Sequence, residues 1–136
     1  MSTKIDDNKV KHLEFILKII DRMAANSFYL KSWTVTLNAA LIALVIKNQF
    51  SYGGLIGLMT TYLFWVLDAY YLSIERKYRK LYDEVRLATD DLKFTLNVSH
   101  FNNKECSIFN AFASLNLVVF FLTVLIANVL IILFLP

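Results

Sequence analysis

The sequence predicts an all-α membrane protein with three transmembrane helices, an N-terminal amphipathic helix and a cytoplasmic helical bundle. Apolar residues make up 57% of the 136-residue chain, against ~45–50% in soluble domains. They gather into three blocks with the charges between them. The chain is thus partitioned between lipid and water rather than folded round one core. The last block, residues 108–135, carries no charge at all.

The elements follow in order. Over residues 9–30, Val10, Leu13, Leu17, Ile20 and Ala24 recur at helical spacing, with Ile16 and Met23 beside them and Lys11, Glu14, Lys18 and Arg22 opposite. That pattern is an amphipathic helix. Asp7 suits its N-cap, and Glu14 with Lys18 forms an i,i+4 pair. No Gly or Pro separates it from the first apolar block, residues 28–46. At ~1.5 Å per residue this block reaches ~28 Å, close to the ~30 Å of bilayer hydrocarbon. One long helix, half in water and half in the membrane, is expected. Residues 47–54 form a polar turn ending in two glycines. A second span covers residues 55–74 and carries Asp68. Helical periodicity continues into water through Tyr78, Leu81, Tyr82 and Val85, and a loop is expected over 96–104. The expected organisation is a cytoplasmic amphipathic helix (1–31), a transmembrane hairpin (32–74), a cytoplasmic helical and loop segment (75–107) and a third transmembrane helix (108–136).

Basic residues set the orientation. Residues 1–31 hold six Lys/Arg, residues 75–105 hold seven, and the 47–54 turn holds one. The N-terminus is therefore expected on the cytoplasmic side of an inner-membrane-type protein and the C-terminus outside. The first eight residues lack the order of a secretory signal, so the N-terminus is expected to be retained.

The sequence offers little for catalysis. One cysteine, Cys106, excludes an internal disulfide, and His12 and His100 lie too far apart in sequence for a zinc-type spacing. No nucleophile–base arrangement or phosphate-binding glycine loop can be drawn. No enzyme activity, metal or cofactor is expected.

Other chemistry is possible. Asp68 is the only acid within a membrane block; a charge there costs ~2.5–3.5 kcal/mol on insertion scales. It reads either as a pore or gate residue or as an interfacial acid paired with Lys31 or Arg22. Asn38, Asn116 and Thr123 read either as pore lining or as interhelical hydrogen bonds. Three helices enclose no useful pore, so a pore implies a homo-oligomer. Arg76, Tyr78, Arg79, Lys80 and Tyr82 interleave cations with rings, as a nucleotide or single-strand site requires. Attraction to anionic lipid and a plain topology signal are the other readings of that stretch. The amphipathic helix is expected to pack on the Tyr78/Tyr82 helix.

Two blocks of sequence carry a resemblance. The first is Arg22-Met23-Ala24-Ala25-Asn26-Ser27-Phe28, followed by Lys31-Ser32-Trp33-Thr34-Val35-Thr36-Leu37. The second is Phe64-Trp65-Val66-Leu67-Asp68-Ala69-Tyr70-Tyr71-Leu72, followed by Glu75-Arg76 and Tyr78-Arg79-Lys80-Leu81-Tyr82. Together they resemble small bacterial multi-span membrane effectors of phage-defence operons, most nearly the Hailong-type DNA-guarded channels. The resemblance covers residues 22–86, and its motifs carry no named chemistry. It implies an oligomeric channel held closed by a single-stranded DNA oligomer, which a partner nucleotidyltransferase makes, and opened during infection to depolarise the membrane. It also implies a DNA site at Arg76, Tyr78, Arg79, Lys80 and Tyr82, with Arg22 and Lys31 in support. A non-conducting anchor that recruits a cytoplasmic partner is the alternative function.

Overall fold

The computed structural model of the chain describes residues 2–47, 52–88 and 95–134. Two long helices come first, α1 (Ser2–Ile46) and α2 (Gly53–Leu87). A short 3-10 turn (Lys104–Cys106) and α3 (Ile108–Phe112) then lead into α4 (Leu115–Phe134). There is no strand among the described residues. α1, α2 and α4 are each long and apolar enough to cross a membrane. The chain is therefore an all-α, multi-pass membrane protein.

α1 is uninterrupted because residues 2–46 contain neither Gly nor Pro. Its 45 residues make a rod of ~67 Å at ~1.5 Å each, more than twice the hydrocarbon thickness. α1 starts at Ser2, so Asp7 lies inside the helix and not at its cap; its carboxylate pairs with Lys11 at 3.3 Å. The Lys18 ammonium lies 5.6 Å from the Phe15 ring centroid, in place of the expected pairing with Glu14. Of the 47–54 turn, residues 48–51 lie outside the described residues, as do 89–94 and 135–136. The two glycines that were expected to end the turn, Gly53 and Gly54, are helical.

α1 and α2 run antiparallel along a seam that passes from membrane to water. On α2 the seam residues Gly57, Thr61, Asp68, Tyr78, Tyr82 and Val85 fall on one alternation of four and three, and none is exposed, while Phe64 on the same alternation packs against α3 and α4. That alternation is the heptad period of packed helix pairs. In the aqueous half Ile16 and Ile20 meet Leu81 and Val85, flanked by Leu13, Tyr78, Tyr82, Val98 and Phe101. The expected packing of the amphipathic helix on the Tyr78/Tyr82 helix is present. The covered strip of α1 is rotated from the expected one: His12, Ile16 and Ile20 are buried, while Val10 and Leu17 stay 49% and 41% exposed. The apolar positions of α1 are wider than one face, and α2 covers only what its own seam reaches.

α2 is the central helix, because both α1 and α4 pack mainly on it. Gly54 and Gly57 make the close approach possible. A Cβ on Gly54 would meet Ile132 Cγ1 at 2.5 Å, and a Cβ on Gly57 would strike Asn128 Oδ1 and meet Asn38 Oδ1 at 2.9 Å. Nearer the water, the Trp65 ring stacks on Phe112 and Phe121, with centroids at 4.2 and 5.8 Å.

The expected unbroken helix over 108–135 is divided. The chain turns at Ala113 and Ser114, and α4 starts afresh with Val118 N–H donating to Ser114 O. Serine readily leaves a helix, since it offers the backbone other hydrogen bonds. The break also frees the Phe112 carbonyl, and the Trp65 indole N–H takes it at 3.2 Å. The span itself is α4, whose 20 residues reach ~30 Å, the hydrocarbon thickness.

The glycine contacts generate a prediction. Gly57→Ala forces Asn128 and Asn38 apart and is expected to lower unfolding free energy in detergent by roughly 1–3 kcal/mol, the usual cost of overpacking. Denaturant titration followed by circular dichroism measures it. A variant as stable as the parent would show that the close approach is not needed.

Candidate functional site

Three polar groupings line the bundle from its membrane half to its aqueous half. The deepest joins all three spans. Asn38 Nδ2 donates to Thr61 Oγ1 at 3.1 Å and to Thr34 O at 2.7 Å, and Asn128 Nδ2 donates to Asn38 Oδ1 at 2.7 Å. All of these side chains are buried. Asn128 Oδ1 has no hydrogen-bond partner among the described residues and abuts the Gly57 Cα position. Such a layer substitutes for the hydrophobic drive that lipid denies to helix association.

The second grouping lies two turns nearer the water. Lys31 Nζ donates to Asp68 Oδ2 at 2.5 Å and to Ser27 Oγ at 2.7 Å. Asp68 is fully buried, and its Oδ1 has no partner among the described residues. Lys31 keeps 24% side-chain exposure, so its ammonium reaches toward the membrane boundary along its own apolar stem. Lys31 and Asp68 are each seven residues from the Asn38 and Thr61 pair on the same helices. The two cross-helix contacts therefore repeat at one heptad along the seam.

The third grouping is an aqueous recess of about 380 Å³ lined by Arg76, Arg79, Lys80, Asp83, Glu105 and Asn110. α2 supplies the cations. The segment before α3, a strap over residues 101–107, supplies Glu105; Asn110 comes from α3 and Glu75 from α2 itself. Lys80 Nζ meets Glu105 Oε2 at 2.6 Å, and Arg76 donates to Glu105 O and Asn110 Oδ1, both at 3.0 Å. Arg79 turns back to Glu75 at 2.7 Å. Behind this face Ser73 Oγ donates to Cys106 O at 2.6 Å. The strap is thus fastened to α2 on two adjoining faces. The hydrogen bond from Lys80, and then its charge, hold the Glu105 carboxyl below the usual carboxylate range.

The expected site residues divide. Arg76, Arg79 and Lys80 share the recess, but Tyr78 and Tyr82 point away from it into the core against Ile16, Ile20, Leu81 and Val85. The i+2 and i+3 offsets put the rings on the seam face of α2 and the cations on another, so the rings offer no stacking platform beside the cations. Arg22 is exposed on α1, and Lys31 belongs to the Asp68 pair. Of the expected pore residues, Asp68 and Asn38 are sealed within the bundle. Asn116 and Thr123 face outward, in an open groove of about 570 Å³ between α1 and α4 that Val35, Val119 and Phe120 also line. Glu105, Asn110 and Trp65 escape a reading by local pattern. They act across long sequence separations, and only the pairing of helices brings them in.

No family model matches this chain, and no curated protein or solved structure is significantly similar to it.

The ion pair generates a second prediction. Lys31→Met leaves the Asp68 carboxylate buried without a counter-charge. It is expected to cost roughly 3 kcal/mol or more in detergent, the range for one-sided loss of a buried pair. Asp68→Leu leaves a lysine that can reach water, and costs less. The double variant is expected to fall well short of the summed losses, and a double-mutant cycle measures the difference. Strict additivity would mean that the two side chains do not act as a pair.

A third prediction concerns acid. Glu105 is depressed in the folded protein, so its contribution is present at neutral pH and is lost as pH falls through its folded value. Amide-exchange protection of residues 101–107 is expected to fall on acidification through the depressed range in which Glu105 takes up its proton. Glu105→Gln is expected to reproduce the loss at neutral pH. Protection insensitive to both changes would remove Glu105 as the fastening.

Proposed function

We propose that the chain is the repeating subunit of a homo-oligomeric pore in a bacterial inner membrane. On this reading the aqueous half of the bundle receives the gating signal. The observation that carries the reading is the distribution of polar side chains over the membrane-level surface. The exposed face of α2 there is apolar or aromatic throughout, from Leu55 to Tyr70. The exposed small hydroxyl and amide side chains, Ser32, Thr36, Asn116 and Thr123, belong to α1 and α4; Asn116 and Thr123 line the groove between these helices, and Val35, the groove residue of α1, falls between Ser32 and Thr36 in sequence. A lone subunit would turn this stripe toward lipid. A ring of subunits would turn it inward and supply a wettable lining.

The recess supports an anionic signal, a nucleotide or a short single-stranded DNA oligomer. Phosphates would compete with Glu105 for Lys80 and Arg76. Winning that exchange loosens the strap, and the strap leads through α3 into α4. Ligand binding is thereby coupled to a pore-forming helix through one exchange of anions. A partner nucleotidyltransferase is the proposed source of such an oligomer, and membrane depolarisation in antiviral defence the proposed outcome.

A second reading, a non-conducting anchor for a cytoplasmic partner, has one observation in its favour. Arg79 and Lys80 already have acidic partners within the subunit, so an external anion is not required to neutralise them.

Ion flux through vesicles containing only the purified protein separates the two. Flux altered by added single-stranded DNA, and reduced several-fold in an Asn116→Leu, Thr123→Val double variant, is the expected result. Flux indifferent to DNA would keep the pore and discard that ligand. Folded, inserted protein that conducts under neither condition would leave the anchor reading in possession.

A further inference from the structure

A second recess, of about 410 Å³, opens on the neighbouring face of α2 and has a different chemistry. Its polar wall is Lys77, Asn102, Asn103 and Ser107, and its apolar rim is Ile108 and Phe109, with Tyr70 above on α2. No acid lines it. Lys77 has no ion pair among the described residues, whereas Lys31, Arg79 and Lys80 each have one. Its neighbours one turn away, Ser73, Ile74, Lys80 and Leu81, supply no carboxylate either. The Ser107 side chain makes no capping bond to α3. One half-buried cation and a set of disengaged amide and hydroxyl groups therefore converge on an opening without negative charge.

The depth of the recess completes the picture. α4 by itself is long enough to span the hydrocarbon without α3, and α3 lies just before it, which puts the recess at the level of the headgroup layer, at the aqueous end of the three spans. Phe109 is 88% exposed and Ile108 44% exposed. In water those values would be a liability. At the headgroup level the same two side chains have the acyl boundary beside them, where exposed apolar groups are at home.

We propose that this recess binds the phosphate of an anionic phospholipid in the adjoining leaflet. Lys77 supplies the charge, and Asn102, Asn103 and Ser107 supply hydrogen bonds to the phosphate oxygens. The acyl chains run along Tyr70, Ile108 and Phe109. The cation and the apolar rim select a lipid over free phosphate, which has nothing to place against Phe109. This site is independent of the pore reading, because lipid retention is measured without any flux.

The test is native mass spectrometry of the full chain released from nanodiscs of phosphatidylcholine mixed with phosphatidylglycerol. Wild type is expected to retain phosphatidylglycerol preferentially. Lys77→Gln is expected to lower that preference about fivefold, the scale of one cation at an anionic surface, with Lys77→Arg restoring it. The charge-matched change Lys11→Gln is expected to leave it intact. Should Lys77→Gln fail to fold, Asn102→Ala with Ser107→Ala carries the same test through the hydrogen bonds. Equal retention by wild type and both variants would overturn the site. Loss of the bound lipid to added inorganic phosphate would overturn the lipid assignment and leave a phosphate site.

Discussion

The register between α1 and α2 is the constraint on which the rest of the bundle depends. It is set in the membrane by two polar contacts, Asn38 with Thr61 and Lys31 with Asp68. Lipid tails are as apolar as leucine, so burial of aliphatic side chains selects no register there. Polar contacts do select one. A slip of one residue would carry Asp68 away from Lys31 and leave a buried carboxylate without its counter-charge. Because α1 and α2 are unbroken rods, the register fixed in the membrane continues into water. There it delivers Ile16 and Ile20 to Leu81 and Val85. Specificity is set in lipid, and the aqueous apolar core is aligned by it.

α2 carries two further dependencies. Its glycine face admits α4, with Asn128 seated against Gly57. Its aqueous half holds the strap through Ser73, Arg76 and Lys80. Both attachments lead to the same end of the chain, since the strap runs through α3 into α4. The break at Ala113 and Ser114 separates the two attachments mechanically. A continuous helix would join the strap to α4 as one rod, whereas the break leaves α3 held by Trp65 and α4 by its glycine contacts. That jointed connection is what a signal in the aqueous half would act through.

Much of this was legible in the sequence, for identifiable reasons. Spans are set by the uncharged length of chain, a one-dimensional property, and the three spans emerge from it directly. The pairing of Asp68 with Lys31 was one of two readings, and it follows from the cost of a lone charge in lipid. The helix break was not legible, because 108–135 holds no charge, Gly or Pro, and Asn110, Ser114 and Asn116 are each tolerated inside a helix. It takes the Trp65 indole, some fifty positions away, to stabilise the freed carbonyl. The basic and aromatic stretch left several readings open for a different reason. Adjacent residues on a helix point 100° apart, so a mixed run in sequence becomes two unmixed faces in space. The tyrosines went to the seam and the cations to the recess.

The distribution of polar groups also bears on whether association is permanent. An amide left without partners in an apolar medium costs roughly 4–8 kcal/mol, while one interhelical hydrogen bond in a membrane returns roughly 0.6–2 kcal/mol. Asn38 and Asn128 therefore belong inside the subunit, and they are inside. Asn116 lies in the first turn of α4, where headgroups and water relieve most of that cost. Thr123 lies deeper, but its hydroxyl donates to Val119 O at 2.7 Å. The outward polar stripe is thus tolerable in a lone subunit and only modestly better in an assembly. A preference of a few kcal/mol is within reach of a ligand that binds one arrangement better than another. A stripe of stranded charges would have forced obligate assembly. Ser32, Thr36, Asn116 and Thr123 carry no charge and impose no such demand.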